Sequence, residues 1–288
     1  MFLSDSWKDY ELIDTSDGER LERFGKYIFV RPDPKILWKS EKRDPRWKTA
    51  HAKYCRSNTG GGHWETKNVP DEWNITWRDL TFTIHPMNFK HTGIFPEQAA
   101  NWDFIQSKIR KAERPVKLLN LFAYTGAATA AAAAAGAEVV HVDAARGMVA
   151  RAKENLARSG LSDRPVRFFV DDCEKLVRRE IRRGNRYDAI VMDPPSFGRG
   201  PGGETWKIEH ALFDFLKLTQ ELLTDDALFV IVNTYSDGIT PGSLDTLVKT
   251  AFAPLGGRVT TGELTLPITS SGLTLPCGAA SRWEGDLR

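Results

Sequence analysis

Apolar residues after about position 95 fall into short continuous runs separated by longer amphipathic stretches. Short continuous runs are typical of strands that are buried on both faces of a sheet. The predicted strands cover residues 116–122, 138–143, 166–172, 187–193 and 227–233. The stretches between and after them predict helices over residues 145–158, 173–183, 205–223 and 242–252. Alternating strands and helices indicate parallel βαβ units and a doubly wound sheet.

Further patterns refine this α/β interpretation. Gly126 opens an alanine-rich helix that ends at Gly136, and its small side chains allow close approach to a sheet. Residues 258–268 and 273–283 have the pattern of two strands joined by a tight turn. We therefore predict a Rossmann-like, doubly wound, mostly parallel sheet with an antiparallel C-terminal hairpin. In the helix over 205–223, apolar residues recur at spacings of three and four and predict a core-facing stripe of Ile208, Leu212, Phe215, Leu218 and Leu222.

The first 90 residues have a different texture, rich in Trp, Thr and turn formers. Residues 24–32 and 80–86 each predict a strand that ends at a proline. Between them, residues 57–64 predict a loop or hairpin tip, because consecutive glycines favour no regular element. A phosphate cradle at these glycines is the less favoured alternative, since no P-loop lysine and serine follow. We predict a small β-rich N-terminal domain over 1–90, with a substrate-binding role open to it, and a second domain over 91–288.

Composition narrows the class of protein. No apolar run approaches the 18 or so residues of a membrane span, and the acidic start is unlike a secretory signal. The three cysteines, Cys55, Cys173 and Cys277, lie far apart and form no CxxC pair, so spacing predicts neither a disulfide framework nor a metal site. These features predict a cytoplasmic protein with no membrane partner.

The net charge of +2 conceals an asymmetry near the N-terminus. Residues 1–22 carry seven acids against two bases, which gives −5, whereas residues 23–56 carry eleven bases against three acids, which gives +8. The basic stretch also contains Trp38, Trp47, His51 and Tyr54. Cations with interleaved aromatic rings are typical of nucleic-acid surfaces. The alternative is a solvated basic face that folds against the acidic N-terminal arm, and the sequence leaves both open.

Candidate chemistry lies at the carboxyl ends of the predicted strands, where open α/β sheets bind their ligands. The first strand ends in a turn in which Thr125 and Gly126 can direct backbone N–H groups at a ligand. The second ends at Asp143, near the spacing at which an acid binds a ribose. The third ends in Asp171 and Asp172; helix capping, above all by Asp171, is the structural alternative. Residues 193–200 follow the fourth strand, and two prolines make their backbone rigid. The backbone carbonyls of this segment can bind a substrate; the alternative is a rigid loop that binds no ligand.

At these residues the chain resembles class I S-adenosylmethionine (SAM)-dependent methyltransferases, over roughly residues 90–288. Within that class it is similar to the branch of bacterial 23S ribosomal RNA methyltransferases that act on cytosine C5 or guanine N7. The segments that carry the resemblance are 89–102, 120–126, 142–161, 171–172, 191–197 and 275–283.

The resemblance implies roles for individual residues. Asp143 would bind the ribose hydroxyls of SAM, Asp172 would accept a hydrogen bond from the adenine amine, and Cys173 would supply a neighbouring backbone N–H. Gln98 would reach the cofactor from the preceding helix. Two groups complete the implied site: Phe122, Ala123, Tyr124, Thr125 and Gly126 would hold the methionine part, and Asp193, Pro194, Pro195 and Phe197 would line the methyl-transfer site.

The chain also departs from this branch. Enzymes that methylate cytosine C5 need a cysteine that adds to the ring, expected in the loop after the fifth strand. Here residues 233–238 contain Ser236 and no cysteine. The prolines are followed by Ser196 rather than directly by an aromatic residue, so the pattern of amino methylation is not met either. We therefore expect a heteroatom target rather than a cysteine-dependent C5 reaction.

The function predicted from the sequence is methyl transfer from SAM to RNA, with ribosomal RNA as the expected substrate. The basic stretch and the cluster Arg178, Arg179, Arg182, Arg183 and Arg186 favour it, although a solvated helix face explains that cluster as well. Methylation of a small molecule or a protein, and a catalytically silent RNA-binding protein, remain as alternatives. A nicotinamide dehydrogenase is disfavoured, because the first turn lacks GxGxxG.

Overall fold

The computed structural model describes residues 1–57, 61–87, 89–199 and 205–286, which cluster into two compact units. We call Met1–Phe2, Asn101–Leu264 and Gly278–Arg288 the central-sheet unit. We call Leu3–Ala100 and Thr265–Cys277 the N-terminal unit. The predicted domain division at residue 90 remains a prediction.

The strands and helices are numbered in chain order. The strands are β1 (Phe2–Leu3), β2 (Tyr10–Ser16), β3 (Glu19–Phe24), β4 (Tyr27–Pro32), β5 (Ala52–Arg56), β6 (Gly62–Thr66), β7 (Trp73–Trp77), β8 (Leu80–Ile84), β9 (Lys117–Leu121), β10 (Glu138–Asp143), β11 (Val166–Val170), β12 (Ala189–Met192), β13 (Phe197–Arg199), β14 (Thr205–Lys207), β15 (Phe229–Thr234), β16 (Arg258–Pro267) and β17 (Thr274–Glu284). The helices are α1 (Ala99–Lys111), α2 (Ala127–Ala134), α3 (Arg146–Arg158), α4 (Cys173–Arg182), α5 (Ile208–Gln220) and α6 (Pro241–Phe252).

The main sheet has eight strands in the order β1-β16-β17-β15-β12-β9-β10-β11. Its strands from β15 to β11 are parallel, and β17 runs antiparallel to β15. The chain moves outward on one side of β9 through β10 and β11, then returns to the other side for β12 and β15. The predicted doubly wound α/β fold with its C-terminal hairpin is confirmed, and the reversal of strand order creates a switch point between β9 and β12.

The core beside this sheet contains the apolar residues that the periodicity of residues 205–223 predicted to face it. Ile208, Leu212, Phe215 and Leu222 are buried in one hydrophobic cluster, and Leu218 packs against it. The helix itself begins at Ile208, three residues later than predicted, because residues 205–207 form β14, which pairs with β13. Among the helices of the described residues, none combines the length and the apolar character that crossing a bilayer requires.

The N-terminal unit contains a five-stranded sheet, β2-β3-β4-β5-β6, and the hairpin β7-β8. The predicted single strand over 24–32 is wrong in its first residues, because Gly25, at φ +62°, turns the chain from β3 into β4. The stretch treated as an acidic arm forms β2 and β3. The alternation of apolar and polar residues that predicts a strand is interrupted here, because the buried position 22 is a glutamate. Glu22 accepts hydrogen bonds from Arg31 at 2.6 and 2.7 Å.

Residues 57–64 form the predicted hairpin insofar as they are described, since β5 and β6 pair antiparallel on either side. The tip itself, residues 58–60, lies outside the described residues, and with it part of the glycine run weighed as a phosphate cradle.

Candidate active site

The turn that follows β9 lies at the switch point and has an unusual backbone. Phe122 (φ 55°) and Tyr124 (φ 50°) adopt left-handed conformations although neither is glycine. Such conformations cost of order 1–2 kcal/mol per residue and persist where their surroundings hold them. Gly126 follows at φ +81° and begins α2, where an added Cβ would lie 2.7 Å from the Cβ of Ala152. The turn therefore requires glycine at its last position.

Contacts from neighbouring elements hold this turn in place. The Ala123 N–H donates to the Val142 carbonyl at 3.0 Å, and the amide of Asn155 on α3 donates to the Thr125 carbonyl at 2.9 Å. The Gly126 N–H, expected to face a ligand, donates instead to the Ala123 carbonyl at 3.0 Å. Asn155 was not predicted as a support for this turn, because its contact depends on how α3 packs.

Asp143 ends β10 and its carboxylate braces the same turn. Oδ2 accepts from the Tyr124 N–H at 2.9 Å and Oδ1 accepts from the Ala145 N–H at 2.8 Å. Each carboxylate oxygen has two lone pairs, so acceptor capacity remains on both. Burial raises the pKa of this carboxyl, and the two N–H groups oppose that shift. Asp143 thus combines a fixed orientation with oxygen atoms that still accept hydrogen bonds.

Asp171 and Asp172, which follow β11, have different structural roles. Helix capping, the structural alternative for Asp171, is the role of Asp172 instead: Asp172 is the N-cap of α4, and its Oδ1 accepts from the Lys175 N–H at 2.9 Å. Asp171 forms an ion pair with Arg179 at 2.7 Å and accepts from the Asp172 N–H. Capping occupies one of the two carboxylate oxygens of Asp172.

The segment after β12 forms the opposite side of the switch point. Asp193 is half-buried, Pro194 is buried, and Phe197 is 54% exposed at the start of β13. The predicted wall of carbonyls is partly occupied: the indole Nε1–H of Trp206 donates to the Pro195 carbonyl at 2.7 Å. Within the described residues, the Pro194 carbonyl accepts no hydrogen bond. Gly200, the last residue of the predicted segment, lies outside the described residues.

A buried polar network supports this segment from below. The Arg282 guanidinium donates to Asn101 Oδ1 at 2.8 and 3.0 Å, and Asn101 donates to Asn233 Oδ1 at 2.9 Å. Asn233 in turn donates to the Met192 carbonyl at 3.4 Å, one residue before Asp193. Burial lowers the pKa of Arg282 to about 10, so it stays protonated at neutral pH. The network depends on long-range pairing and was not predicted from the sequence.

All three cysteines are free thiols in environments that disfavour the thiolate. Burial raises the pKa of Cys173 and of Cys277, and it also raises the pKa of Cys55. The Cys173 Sγ accepts from the Phe122 N–H at 3.2 Å, so this side chain is part of the support of the first turn. At the position where a nucleophilic cysteine was sought, Ser236 donates to Glu209 at 2.5 Å.

Gln98 lies in the N-terminal unit, at the end of a short 3₁₀ helix, Pro96–Gln98, that leads into α1. Its side chain is buried. Its predicted reach to the cofactor remains a prediction.

One cluster of potential metal ligands could not be predicted from the spacing of residues in the sequence. Cys55 pairs directly with His63 across β5 and β6, and Glu65 lies two residues further on the same face. Their ligand atoms all lie within 4.8 Å of one another, and no other such group occurs in the part of the chain that the structure describes. Cysteine, histidine and carboxylate side chains are all ligand types that zinc accepts in proteins. Cross-strand register brings these residues together, which sequence spacing does not show.

Comparison with known proteins agrees with this geometry. A family model described as S-adenosylmethionine-dependent methyltransferase matches residues 45–244. The crystal structure of a SAM-dependent methyltransferase from Agrobacterium tumefaciens is 36% identical and superposes with a TM-score of 0.94, over 99% of this chain and 93% of that one. A putative methyltransferase from Streptococcus mutans, 17% identical over 97% of this chain and 76% of that one, shares the fold with a TM-score of 0.74.

Curated relatives match a shorter part of the chain. The ribosomal RNA large subunit methyltransferase K/L of Chromohalobacter salexigens is 28% identical over 180 residues, 62% of this chain and 22% of that protein. The ribosomal RNA large subunit methyltransferase I of Aeromonas salmonicida is 33% identical over 143 residues, 49% of this chain and 35% of that protein. The chain thus spans no more than 35% of the length of these two relatives. The family match, together with the Agrobacterium structure, shows that the chain belongs to the S-adenosylmethionine-dependent methyltransferase family.

Proposed function

We propose that this chain transfers the methyl group of SAM to a heteroatom of RNA, and that the RNA is ribosomal. The observation that carries the methyl-transfer part is that the Phe122–Gly126 turn, two acidic strand ends and the segment that begins at Asp193 all follow the carboxyl ends of parallel strands of one sheet, on both sides of the switch point. The RNA part is supported by the names of the two curated relatives, which are both ribosomal RNA methyltransferases.

The residues present suit an adenosyl ligand with a charged amino-acid tail. Asp143 offers oxygen atoms for two ribose hydroxyls, as a carboxylate at this strand end does for other nucleosides. Asp172 retains one oxygen for an exocyclic amine after capping α4. The turn Phe122–Gly126 lies at the N-terminus of α2, where the helix dipole favours a carboxylate. We assign the methionine part to this turn, with Cys173 and Gln98 as the remaining cofactor contacts.

Bound SAM supplies an electrophilic methyl group on a sulfonium, which an attacking atom displaces in line. The task of the protein is then alignment, and proximity alone can contribute several kcal/mol. We assign this task to Asp193, Pro194, Pro195 and Phe197. The Pro194 carbonyl offers an acceptor to the N–H edge of a base, and the exposed Phe197 ring offers a surface for stacking.

The state of the cysteines supports a heteroatom as the target. Addition to cytosine C6 requires a thiolate, and the pKa of each cysteine in this chain is raised rather than lowered. A ring nitrogen, an exocyclic amine or a ribose hydroxyl needs no covalent activation. The proposed reaction is therefore direct attack by such an atom, and where that atom carries a proton we assign Asp193 as the proton acceptor.

The arginine cluster on α4 contributes less to this proposal than its sequence suggests. Arg178 pairs with Glu174, Arg179 with Asp171, and Arg183 with Glu180. Most of its charge is therefore compensated on or next to its own helix. We place the protein in the cytoplasm, because three free cysteines without a disulfide suit a reducing compartment.

The test is transfer of tritiated methyl from SAM in the presence of unmodified ribosomal RNA, total protein and a metabolite extract, separated afterwards. We expect label in the RNA fraction and its loss in Asp193→Ala, with SAM affinity retained in a calorimetric titration. Label in protein or in small molecules would instead support the alternatives weighed from the sequence. SAM binding without any transfer would support a catalytically silent protein.

A further inference from the structure

Many charged side chains of the N-terminal unit are paired within that unit. Acids of β2 and β3 bind cations of the basic stretch: Glu11 pairs with Arg23, Glu19 with Lys42 and Lys53, and Glu22 with Arg31 and Arg20. Further pairs join Asp33 to Arg20, Asp17 to Lys39 and Asp44 to Arg46. Five cations of the basic stretch, Arg23, Arg31, Lys39, Lys42 and Lys53, therefore pair with the acidic segment, as the alternative interpretation expected.

The aromatic residues of the basic stretch are also mostly structural. Trp47 donates to Asp14 at 2.8 Å and Trp38 donates to Thr15 at 3.0 Å. Tyr54 is buried against Trp64. Most of these cations and aromatic rings thus have partners within the protein. The cations that have no acidic partner are therefore the better candidates for binding RNA.

Among the cations of the N-terminal unit that form no ion pair with the described residues, three lysines line one cavity. Lys26, Lys48 and Lys67 are exposed and, within the described residues, none forms an ion pair. Lys26 directly precedes β4, Lys48 directly follows the 3₁₀ helix Pro45–Trp47, and Lys67 directly follows β6. The cavity that they line has a volume of about 590 Å³ and no acidic lining residue. This size suits a ligand of a few hundred Å³, such as one nucleotide.

The floor of this cavity is fixed by His51. Its backbone N–H donates to the Ile28 carbonyl at 2.8 Å, its Nδ1 accepts from the Ile28 N–H at 3.0 Å, and its carbonyl accepts from the Lys67 N–H at 2.7 Å. Because Nδ1 is an acceptor, the ring proton lies on Nε2, where it can donate to an anion. The Tyr27 ring packs edge-on against His51, and the Lys26 ammonium lies 5.3 Å from the Tyr27 centroid.

We infer that this cavity, which we call the lysine pocket (Lys26, Tyr27, Lys48, His51 and Lys67), binds a nucleotide unit of the substrate RNA. The inference rests on the proposed function. The lysines hold backbone phosphates, and the Tyr27 ring contacts the sugar or base between them. Phosphate contacts of this kind bind RNA without reading its sequence, so the pocket anchors the strand and does not choose the methylated position.

The test is the salt dependence of binding of a single-stranded oligoribonucleotide of mixed sequence, followed by fluorescence anisotropy. The triple variant Lys26→Gln, Lys48→Gln, Lys67→Gln should weaken binding and reduce the slope of log K against log salt concentration by about 2, since each phosphate contact contributes roughly 0.7 on a single strand. The matched control, Lys39→Gln, Lys111→Gln, Lys249→Gln, removes the same charge from exposed positions elsewhere and should keep the wild-type slope.

Calorimetric SAM binding, unchanged in both triple variants, verifies that each is folded. If the pocket variant and the control behave alike while the wild type binds RNA, the pocket inference is rejected and the proposed function stands. A wild-type protein that neither binds nor methylates RNA rejects both. Cross-linking of RNA that carries 4-thiouridine gives a second measurement, in which we expect the cross-linked peptide to contain Tyr27; a map confined to other peptides would overturn the inference.

Discussion

At the scale of single residues, we assign two roles to the carboxylates at the strand ends, one in the protein's own structure and one in binding the cofactor. Asp143 braces the Tyr124 and Ala145 amides with the same two oxygens that we assign to a ribose. Asp172 caps α4 with one oxygen and keeps the other. Orientation by the protein's own N–H groups reduces the entropy lost when a ligand binds. These side chains are therefore prepared before the cofactor arrives.

Substitution of Asp172 separates its two roles. Asp172→Ser keeps a capping oxygen and removes the second carboxylate oxygen, whereas Asp172→Ala removes both. We expect Ala to lower the free energy of unfolding by about 1 kcal/mol and Ser to change it little. Both should weaken SAM binding about tenfold or more, as for loss of a hydrogen bond to a charged group. Urea unfolding and calorimetry measure the two effects; wild-type SAM affinity in Asp172→Ser would limit this residue to the cap.

The sequence identified these strand ends but not how their atoms are used. Polar residues directly after apolar runs marked Asp143, Asp172 and Asp193, because that relation depends only on neighbours in the chain. That Cys173 supports the first turn through its sulfur, and that Trp206 occupies the Pro195 carbonyl, depends on packing between distant elements. Local pattern therefore predicts where ligands bind, and tertiary contacts decide which atoms stay free.

At the scale of elements, the turn between β9 and α2 combines strain with close packing. Phe122 and Tyr124 are left-handed without being glycine, and Gly126 both requires a positive φ and lacks room for a Cβ. Anchors from β10, α3 and α4 hold this conformation. A rigid turn of this kind is the expected design for a site that must present its backbone to a ligand in one geometry.

Two glycines at the ends of α2 provide a matched test of that rigidity. Gly136 also has a positive φ, of 100°, but an added Cβ would meet nothing within 4 Å. Gly136→Ala should therefore cost only the backbone strain, about 1–2 kcal/mol of unfolding free energy, and leave SAM affinity unchanged. Gly126→Ala adds a contact of 2.7 Å with Ala152 and should lose both more stability and most SAM affinity. Equal SAM affinity in the two variants would contradict the role given to the turn.

Elements of the central sheet could be predicted far better than those of the N-terminal unit. Strands buried on both faces appear as apolar runs, and α5 appears as a stripe, so each pattern had a single interpretation. In β2 and β3 a buried position holds Glu22, which is tolerated only because Arg31 and Tyr10 bind it. Paired charge in the interior removes the alternation that marks a strand.

At the scale of the whole molecule, buried neutral histidine links stability to pH. His141 on β10 is fully buried, and burial lowers its pKa to about 3. Its Nδ1 lies 2.9 Å from the Thr129 hydroxyl, which also accepts from Asn120. The Nε2 atom has no partner among the described residues. The folded protein therefore holds this ring neutral in a site that cannot accommodate its charge.

The sign of the resulting pH dependence follows from proton counting. The unfolded chain binds a proton at His141 near pH 6.5, whereas the folded chain binds it only near pH 3. The free energy of unfolding therefore decreases as the pH is lowered from about 6.5 towards 3. From about pH 6.5 to about pH 5 the loss should approach 2 kcal/mol for this residue. His141→Leu removes the titrating group and should flatten the curve by that amount in urea unfolding. If the unfolding free energies of wild type and His141→Leu had the same dependence on pH, the pKa of His141 would not be lowered by folding.

Charge distribution across the whole chain also limits where RNA can bind. Within the described residues, acids pair with seven of the eleven cations of the basic stretch: Arg23, Arg31, Lys39, Lys42, Arg43, Arg46 and Lys53. Three of the five arginines in and after α4 also pair with nearby acids. The lysine pocket groups three cations that have no such partner. The near-zero net charge of +2 is thus consistent with local rather than general attraction to phosphates.

The most direct test of the central claim is nucleoside analysis by mass spectrometry after reaction of the protein, trideuteromethyl-labelled SAM and unmodified ribosomal RNA. We predict a single labelled nucleoside that carries the trideuteromethyl group on nitrogen or oxygen, absent from the Asp193→Ala reaction. RNA without labelled nucleoside, from a protein that binds SAM, would contradict RNA as the substrate. Label on pyrimidine C5 would contradict direct attack by a heteroatom.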